Sequence, residues 1–348
     1  MQSRSLKDLV HVKKTRVLVI AWRCFPFVRT DLTMLKKNFL LYFLLAPSLR
    51  FERAKDILRF VVNVISKGSR VDVFLFWFVD YYALIGILIS KILRKKSVAI
   101  AGGFDAMRMP DIDYGLMNRR IGRLFGLLSF RLCDKVLAAS ESTKQHLAQN
   151  TGRVDAEVLY LGLDSKQFMP KGEKENLVVT VGNVCYQNLK RKGLESFVRT
   201  ARFLPHTRFL LIGSHQDRSI EYLRSIASAN VEFTGYVPTD QLICYLQLSK
   251  VYVQVSAYES FGASLAEAML CECVPVVAGS GGIPEVVGED GFYVPPDDPQ
   301  AIAKGIVKAM KSDKGKDARE RIMKKFSPER REKELTKQIN DLFATHTI

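Results

Sequence analysis

Along this chain, short apolar runs rich in Val, Ile, Leu and Phe take turns with longer stretches whose apolar residues recur at helical spacing. The short runs predict buried strands, and the longer stretches predict amphipathic helices. In the first half, strands are expected over 16–21, 40–45, 72–78, 97–101, 135–139 and 157–161. Helices are expected over 32–37, 51–66, 81–93, 117–132 and 141–149. This alternation builds a parallel sheet with helices on both faces. The pattern starts afresh at Val178, which implies a second sheet of the same class. The closing stretch, about 315–345, reads as charged and helical, with Leu335, Ile339 and Leu342 on one apolar stripe.

A length of 348 residues suits two such units. No internal repeat and no low-complexity tract is visible. Two apolar runs, Val73 to Val79 and Tyr81 to Ser90, are split by Asp80. A carboxylate at mid-span is costly in a bilayer, so this stretch reads as a strand and a packed helix. No apolar run precedes the first strand, so no secretory signal is expected. Six cysteines (24, 133, 185, 244, 271 and 273) show no Cys-x-x-Cys spacing and no nearby His. Buried, reduced thiols in a cytoplasmic protein are the expectation.

Charge changes the picture more. The net charge is +16, and residues 1–165 hold 27 Lys and Arg against 14 Asp and Glu. The remaining residues hold 25 against 22, so the basic excess belongs to the first half. Such a half favours an anionic partner. Basic residues are not interleaved with stacking aromatics, and no nucleic-acid-binding motif is present, so no nucleic acid is expected. A membrane surface fits better. The apolar run Phe39 to Ala46 is followed by Arg50, Arg53, Lys55 and Arg59. Apolar surface beside basic charge suits an anionic leaflet, which would place the protein peripherally on the inner face of the plasma membrane. The other reading of that segment is an ordinary strand followed by a helix with a solvated basic face.

The most informative segment is 251–269, Val-Tyr-Val-Gln-Val-Ser-Ala-Tyr-Glu-Ser-Phe-Gly-Ala-Ser-Leu-Ala-Glu-Ala-Met. It reads as a buried strand, a loop carrying Glu259, and a helix opened by Gly262 and Ala263 that carries Glu267. Backbone N–H groups at such a helix start attract phosphate, and the two carboxylates offer acceptors for sugar hydroxyls. Downstream come Val274-Pro-Val-Val277, a Gly279-Ser-Gly-Gly282 turn, Pro284-Glu285-Val286, and the acidic turn at Asp297 and Asp298. Upstream, the strand ending at Gly182 is followed by Lys190-Arg191-Lys192-Gly193.

This E-x7-E segment and its ordered flanks resemble the retaining GT-B glycosyltransferases, especially glycosyltransferase family 4, the group 1 glycosyltransferases. The resemblance runs from about 176 to 312. It implies an α/β fold of two Rossmann-like, doubly wound parallel-sheet domains facing a cleft. The expected division is an acceptor-side domain at 1–165, a linker at 166–176, a nucleotide-sugar domain at 177–312, and a helical segment at 313–348 that returns to the first domain. It also implies that Glu259 contacts the donor sugar, Glu267 the ribose, and Lys192 the donor diphosphate. Gly182, Phe261, Gly262, Ala263, Ser264, Gly213 and Tyr236 are implied donor-binding positions, with Gly213 and Tyr236 in loops that bracket the base. Members often carry Arg directly after the first strand's glycine, where this chain has Asn183. Arg191 or Lys190 is the substitute cation, or else a solvated basic turn.

The first half departs further from the family. A His after the fourth strand is missing, and Ala101-Gly102-Gly103-Phe104-Asp105 stands there instead. Asp105, at a strand's carboxyl end, is therefore a catalytic candidate, with a turn or helix cap as its structural alternative. The usual Gly-Gly loop after strand one is replaced by Ala21 to Phe27, near Arg29 and Asp31. Asp111-Ile-Asp113 resembles a metal motif of a different fold and reads as a polar loop. The expected activity is retaining hexosyl transfer from a nucleotide-diphosphate sugar to a glycan or lipid-linked acceptor, with no metal and no cofactor. The alternatives are a sugar-nucleotide epimerase of the same fold and a basic nucleic-acid-binding or scaffold protein with a degenerate site.

Overall fold

The computed structural model describes residues 14–47 and 54–344. In the first half the strands are β1 (Arg16–Ala21), β2 (Leu40–Leu45), β3 (Val73–Trp77), β4 (Lys96–Ala101), β5 (Lys135–Ala138) and β6 (Glu157–Val158). Between them run α1 (Pro26–Asn38), α2 (Ala54–Gly68), α3 (Tyr81–Ile92), α4 (Arg120–Leu132) and α5 (Glu141–Thr151). The second half contains β7 (Glu175–Val181), β8 (Arg208–Ile212), β9 (Val231–Gly235), β10 (Ser249–Gln254), β11 (Val274–Val277) and β12 (Phe292–Tyr293). Its first helices are α6 (Tyr186–Arg191), α7 (Leu194–Thr200), α8 (Ser219–Ile226) and α9 (Thr239–Leu248). Then come α10 (Ala263–Leu270), α11 (Ile283–Val287), α12 (Pro299–Met310), α13 (Lys314–Lys325) and α14 (Pro328–Asn340).

Two parallel six-stranded sheets result, ordered β2-β1-β3-β4-β5-β6 and β12-β11-β10-β7-β8-β9. Central strands are covered on both faces, so β3 is buried from Val73 to Trp77 without alternation. The run of 40–45 becomes the edge strand β2, whose residues are only partly covered. In each sheet the chain reverses its winding beside the first strand, between β1 and β3 and between β7 and β10. Crevices at the carboxyl ends of strands open at such switch points.

One apolar core joins the facing sides of both sheets, from Val19 and Leu75 through Leu161 and Phe168 to Leu270 and Ile283. Leu335 and Ile339 of α14 are fully buried in it. The predicted single closing segment is two helices, because Pro328 cannot continue α13 and instead opens α14 behind the cap Ser327. The strand expected over 157–161 stops at Val158, because the carbonyls of Leu159 and Tyr160 turn to accept from Arg331. The helix expected over 32–37 is longer and starts at Pro26, where a missing N–H costs nothing. All six cysteines are free; Cys133, Cys271 and Cys273 are buried, whereas Cys244 is exposed, contrary to expectation. Among the described residues, no helix is long and apolar enough to cross a membrane. Arg50, Arg53 and the residues before Lys14 lie outside the described residues.

The return of α14 is fastened by a buried ion pair. Arg331 Nε and Nη2 donate to Asp31 of α1 at 2.6 and 2.8 Å, and both residues are almost fully buried. Asp31 also accepts from the Trp77 indole at 2.8 Å, and the guanidinium lies 5.4 Å from that ring's centroid. Asp31 therefore does not face the cleft. Removing one partner leaves the other charged and buried, which costs about 3–5 kcal/mol. Arg331→Ala should lower the unfolding free energy by that amount in urea titration. A loss under ~1 kcal/mol, as for a surface pair, would contradict the clasp.

Candidate functional site

The site forms where β7 and β10 end. β10 delivers Gln254 at the sheet's rim, and the loop after it carries Glu259. Gly262, with φ of 93°, then starts α10. Glu259 is held from several sides. Gln254 Nε2 donates to its carboxylate at 3.2 Å, Lys192 Nζ lies 3.5 Å away, and Arg191 Nη1 lies 3.9 Å away. Burial alone would push this carboxyl up, but Lys192 and Arg191 outweigh it and hold Glu259 below its ordinary value. Its backbone is fixed as well. Gly282 N–H donates to Glu259 O at 2.8 Å, and a side chain on Gly281 would place Cβ 2.1 Å from that same oxygen. Gly281 also has φ of 57°, so glycine is required there on both counts.

Glu267, two turns further on, behaves oppositely. Burial raises it to about 7, and Lys192 offsets this only in part. No protein group among the described residues donates to its carboxylate. Two carboxylates on one segment are thus driven apart, one held ionised and the other poised near neutrality.

Lys192 caps α6, and its ammonium donates to Val181 O at 3.4 Å. Arg191 is not a solvated turn residue. It is buried, its Nε and Nη2 donate to Asn188 Oδ1 at 3.0 and 2.8 Å, and its guanidinium covers the Tyr114 ring at 4.7 Å. Lys190, by contrast, is exposed. Asn183, which stands where the family often has Arg, accepts from Ser214. Gly182, Gly213 and Gly235 are laced together across β7, β8 and β9: Gly182 N–H donates to Ile212 O and Gly213 N–H to Gly235 O. Tyr236, next in line, is exposed at that rim. Ser264 stands in the first turn of α10, the buried Tyr252 hydroxyl donates to Gln254 Oε1 at 3.4 Å, and Ala263 lines a pocket of about 160 Å³ with Glu259.

Two expectations need correction. Asp105 is buried, and its carboxylate accepts from the backbone N–H groups of Val79, Gly102 and Gly103 at 3.0, 3.3 and 2.9 Å. Burial raises its pKa and those amides pull it back only in part, to about 6; the carboxylate staples the loop after β4, and the residue lines the pocket beside it. Phe261 is also buried, its ring 5.2 Å from Phe326 and 6.2 Å from Tyr160, so its ring packs into the core beside the pocket the residue lines. Asp111 lies in a short 3₁₀ turn and Asp113 is its left-handed cap.

Several site residues were not read from the sequence. Gln254 is masked by the apolar run around it, and Tyr114 meets Arg191 only through the fold. Glu285 caps the first unit across the cleft, accepting from Glu141 N–H, Ser142 N–H and the Tyr160 hydroxyl at 2.8, 2.9 and 2.9 Å. An acidic residue in a Gly-Gly-Ile-Pro-Glu turn was the available signal. The largest cavity, about 900 Å³, lies elsewhere, between the 107–112 loop and α6, α7 and Tyr258. Glu259 lies instead on the smaller pocket, walled by Phe27, Trp77, Phe78 and Gly102 from the first unit. The charged cluster, not the larger volume, marks the site.

The fold and site have known counterparts. Residues 175–312 match the family described as glycosyl transferases group 1. In Arabidopsis thaliana, one of the subunits of phosphatidylinositol N-acetylglucosaminyltransferase is 24% identical over 253 residues, covering 64% of this chain and 57% of its own length. The chain thus spans little more than half of that relative. The O-antigen chain mannosyltransferase RfbU of Salmonella typhimurium is 22% identical, covering 71% of this chain and 73% of its own. Among solved structures, Anabaena HepE in complex with UDP and glucose superposes with a TM-score of 0.77 at 16% identity, covering 94% of this chain and all of that one. Sucrose-phosphate synthase from Thermosynechococcus elongatus gives 0.78 at 17% identity, covering 95% and 100%. The chain has the two-unit GT-B fold. Over residues 175–312 its second half is similar to the group 1 glycosyltransferases.

The close approach of the two units yields a test. Gly103 has φ of 121°, and a Cβ there would lie 2.4 Å from Ser260 Cβ across the cleft. Gly103→Ala should cost about 1–3 kcal/mol from backbone strain, with the clash added. Adding Ser260→Gly should recover the clash part in a double-mutant cycle. A neutral single variant in thermal unfolding would mean the units do not meet here.

Proposed function

We propose that the protein is a glycosyltransferase, moving a sugar from a nucleoside-diphosphate sugar to a glycan or lipid-linked acceptor with retention and without a metal. The observation that carries this reading is the paired Glu259–Lys192–Arg191 cluster, set at the strand ends of a unit that matches the group 1 glycosyltransferases, with Glu259 lining a pocket closed by the other unit. The names of the relatives support a glycan or lipid-linked acceptor, and the UDP and glucose in the HepE structure support a nucleotide-sugar donor.

Breaking the anomeric C–O bond puts negative charge on the departing diphosphate and positive character on the sugar ring. Lys192 and Arg191 meet the first charge, helped by the N–H groups at the start of α10. Glu259, kept ionised by those same cations, accepts from the sugar's hydroxyls and orients the ring. Glu267 accepts from the ribose. Asp105 is spent on backbone amides, so the acceptor hydroxyl passes its proton to a diphosphate oxygen on the face the leaving group vacates. Retention follows, since the new bond forms on that same face. Beside this pocket, across the shared wall of Phe78, lies a second of about 480 Å³ lined by Trp22, Phe25, Tyr81, Tyr82 and Phe104. Its aromatic faces suit an acceptor's apolar surfaces.

The test begins with binding. In a thermal-shift screen, the cognate nucleoside diphosphate should raise the midpoint most, since a ligand of the folded state stabilises it by mass action. Glu267→Ala should weaken that binding by about 1.5–3 kcal/mol, as expected for a lost charged acceptor. Unchanged affinity would remove Glu267 from the site.

The pH dependence follows from the same group. Ribose hydroxyls donate best to a carboxylate, and free Glu267 is protonated below about 7. Affinity should therefore rise as pH climbs through 7. Glu267→Gln should remove this dependence, so the ratio of wild-type to variant affinity, in which titration of the phosphate itself cancels, should rise as pH climbs through 7. A ratio constant from pH 5.5 to 8.5, on the order of three units, would refute the assignment.

Turnover tests the other residues. Lys192→Ala should lower it about 10²–10³-fold, as loss of a group aimed at developing charge does, and magnesium should not restore it. Glu259→Ala should reduce turnover more than nucleotide affinity. Full activity in EDTA and an unchanged anomeric configuration by NMR complete the reading; inversion, or loss of activity on chelation, overturns the corresponding part.

A further inference from the structure

A helix packed on one core needs one apolar stripe, with polar residues opposite. Three helices of this protein carry a second stripe on the side away from the core. On α2, Phe60 and Val64 are buried, whereas Leu58, Val62 and Ile65 are exposed. On α3, Leu88 and Ile92 stand out, the latter 78% exposed. On α4, Gly126, Ser129 and Phe130 face inward, while Ile121, Leu124, Leu128 and Leu132 point to solvent at a spacing of three or four. Nine of the fourteen exposed leucines, isoleucines and valines among the described residues lie on these three helices.

The stripes form one surface. The strand order β2-β1-β3-β4-β5 carries the chain the same way at each crossover from β2 onward. Right-handed crossovers therefore place α2, α3 and α4 on one face of the sheet. They pack side by side, α3 between the other two, over a core made of Phe60, Val64, Ile87 and Phe130. An exposed apolar area of this kind marks an interaction site.

Charge identifies the occupant. Lys55, Arg59, Arg94, Arg120 and Arg123 are exposed on or beside these helices and form no salt bridge among the described residues. Of the nearby acids, Asp134 is already paired with Lys91 and Asp72 with Arg16. Asp56 is the acid left on the helices themselves. A second copy would bring like charge against like charge. We propose that the α2–α3–α4 face docks on an anionic lipid bilayer, with the leucine and isoleucine side chains in the interface and the Lys and Arg side chains on the headgroups. This rests on the helices alone and not on the transferase reading. It also differs from the location the sequence suggested, since 39–46 is an edge strand with Phe39 buried.

The experiment is co-sedimentation of the whole protein with phosphatidylglycerol vesicles and with phosphatidylcholine vesicles. The wild type should pellet with the anionic vesicles and stay in solution with the neutral ones. Raising salt should weaken the binding without abolishing it, because screening removes only the charge contribution. The triple variant Ile121→Ser, Leu124→Ser, Leu128→Ser should bind at least about tenfold more weakly. Arg120→Ser with Arg123→Ser should lose anionic selectivity. These positions are exposed, so the thermal midpoint should hold. Nucleoside-diphosphate binding should hold too, which separates this proposal from the one for the cleft. Equal recovery with both lipids, or undiminished binding by the triple variant, overturns it. So does sedimentation velocity showing a wild-type dimer that the triple variant abolishes, since the face would then be a self-association surface.

Discussion

The buried pair of Arg331 and Asp31 governs the arrangement of everything else. A guanidinium and a carboxylate removed from water each need a full set of partners, or the fold loses more than it gains. Here the set is assembled from four places. Asp31 comes from α1, Trp77 from β3, the carbonyls of Leu159 and Tyr160 from the end of β6, and Arg331 from α14. Arg331 and the carbonyls of Leu159 and Tyr160 find these partners only when α14 lies on α1. That return carries Leu335 and Ile339 into the core shared by both sheets, and brings Phe326 against Tyr160 and Phe261. Phe261 is the residue between Ser260 and Gly262 of the site loop, so the clasp is one packed layer from the chemistry.

With the units held this way, the site is a matter of close approach and charge balance. Gly103 and Ser260 meet where no side chain on the glycine fits, and Glu285 reaches across to cap α5. Within the second unit, Lys192 acts on both carboxylates yet settles them differently. Beside Glu259 it is joined by Arg191, and together they overcome burial. Beside Glu267 it acts alone and does not. The consequence for stability follows from the signs. The lowered Glu259 favours the folded state above its ordinary titration range and loses that contribution as pH falls through its depressed value. The raised Glu267 works the other way, and its ionisation weighs against folding as pH climbs towards 7. A ligand that donates to Glu267 relieves a cost already present in the empty site.

Much of this was legible in the sequence, for identifiable reasons. The strands 16–21 and 40–45 have the bounds that their apolar runs imply, because a parallel strand flanked by helices writes itself as a continuous apolar block. The Glu259–Glu267 spacing and the Lys192-Gly193 pair are local, so their meeting at the strand ends could be read directly. What escaped depends on contacts far apart in the chain. Nothing near Asp31 announces Arg331, and the sequence leaves Arg191 between a site cation and a solvated turn because Tyr114 and Asn188 are brought to it only by the fold. Asp105 illustrates the opposite error: a carboxylate at a strand's carboxyl end has the right address for catalysis, yet the tight Gly102-Gly103 turn leaves amides that must be satisfied, and it is the nearest acceptor. Phe261 sits in the signature loop and still belongs to the core, since a motif fixes the backbone path and not the direction of each ring.

The charge asymmetry ties these strands of argument together. An excess of basic residues in the first half has two physical origins: a cleft built for an anionic ligand, or a surface turned to an anionic partner. The cations of the cleft, Arg191 and Lys192, belong to the second half, which is nearly neutral, and they are matched by Glu259. Five cations of the first half that form no salt bridge among the described residues stand on α2, on the turn after α3 and on α4, beside exposed Leu and Ile. A soluble anionic ligand would call for the charge but not for the aliphatic stripes, which leave apolar surface in water at about 25 cal/mol per Å². Charge and apolar surface occur together where one partner satisfies both, and a lipid bilayer with acidic headgroups does so. On the two proposals, labour divides between the halves: nucleotide chemistry in the balanced unit, and location in the basic one.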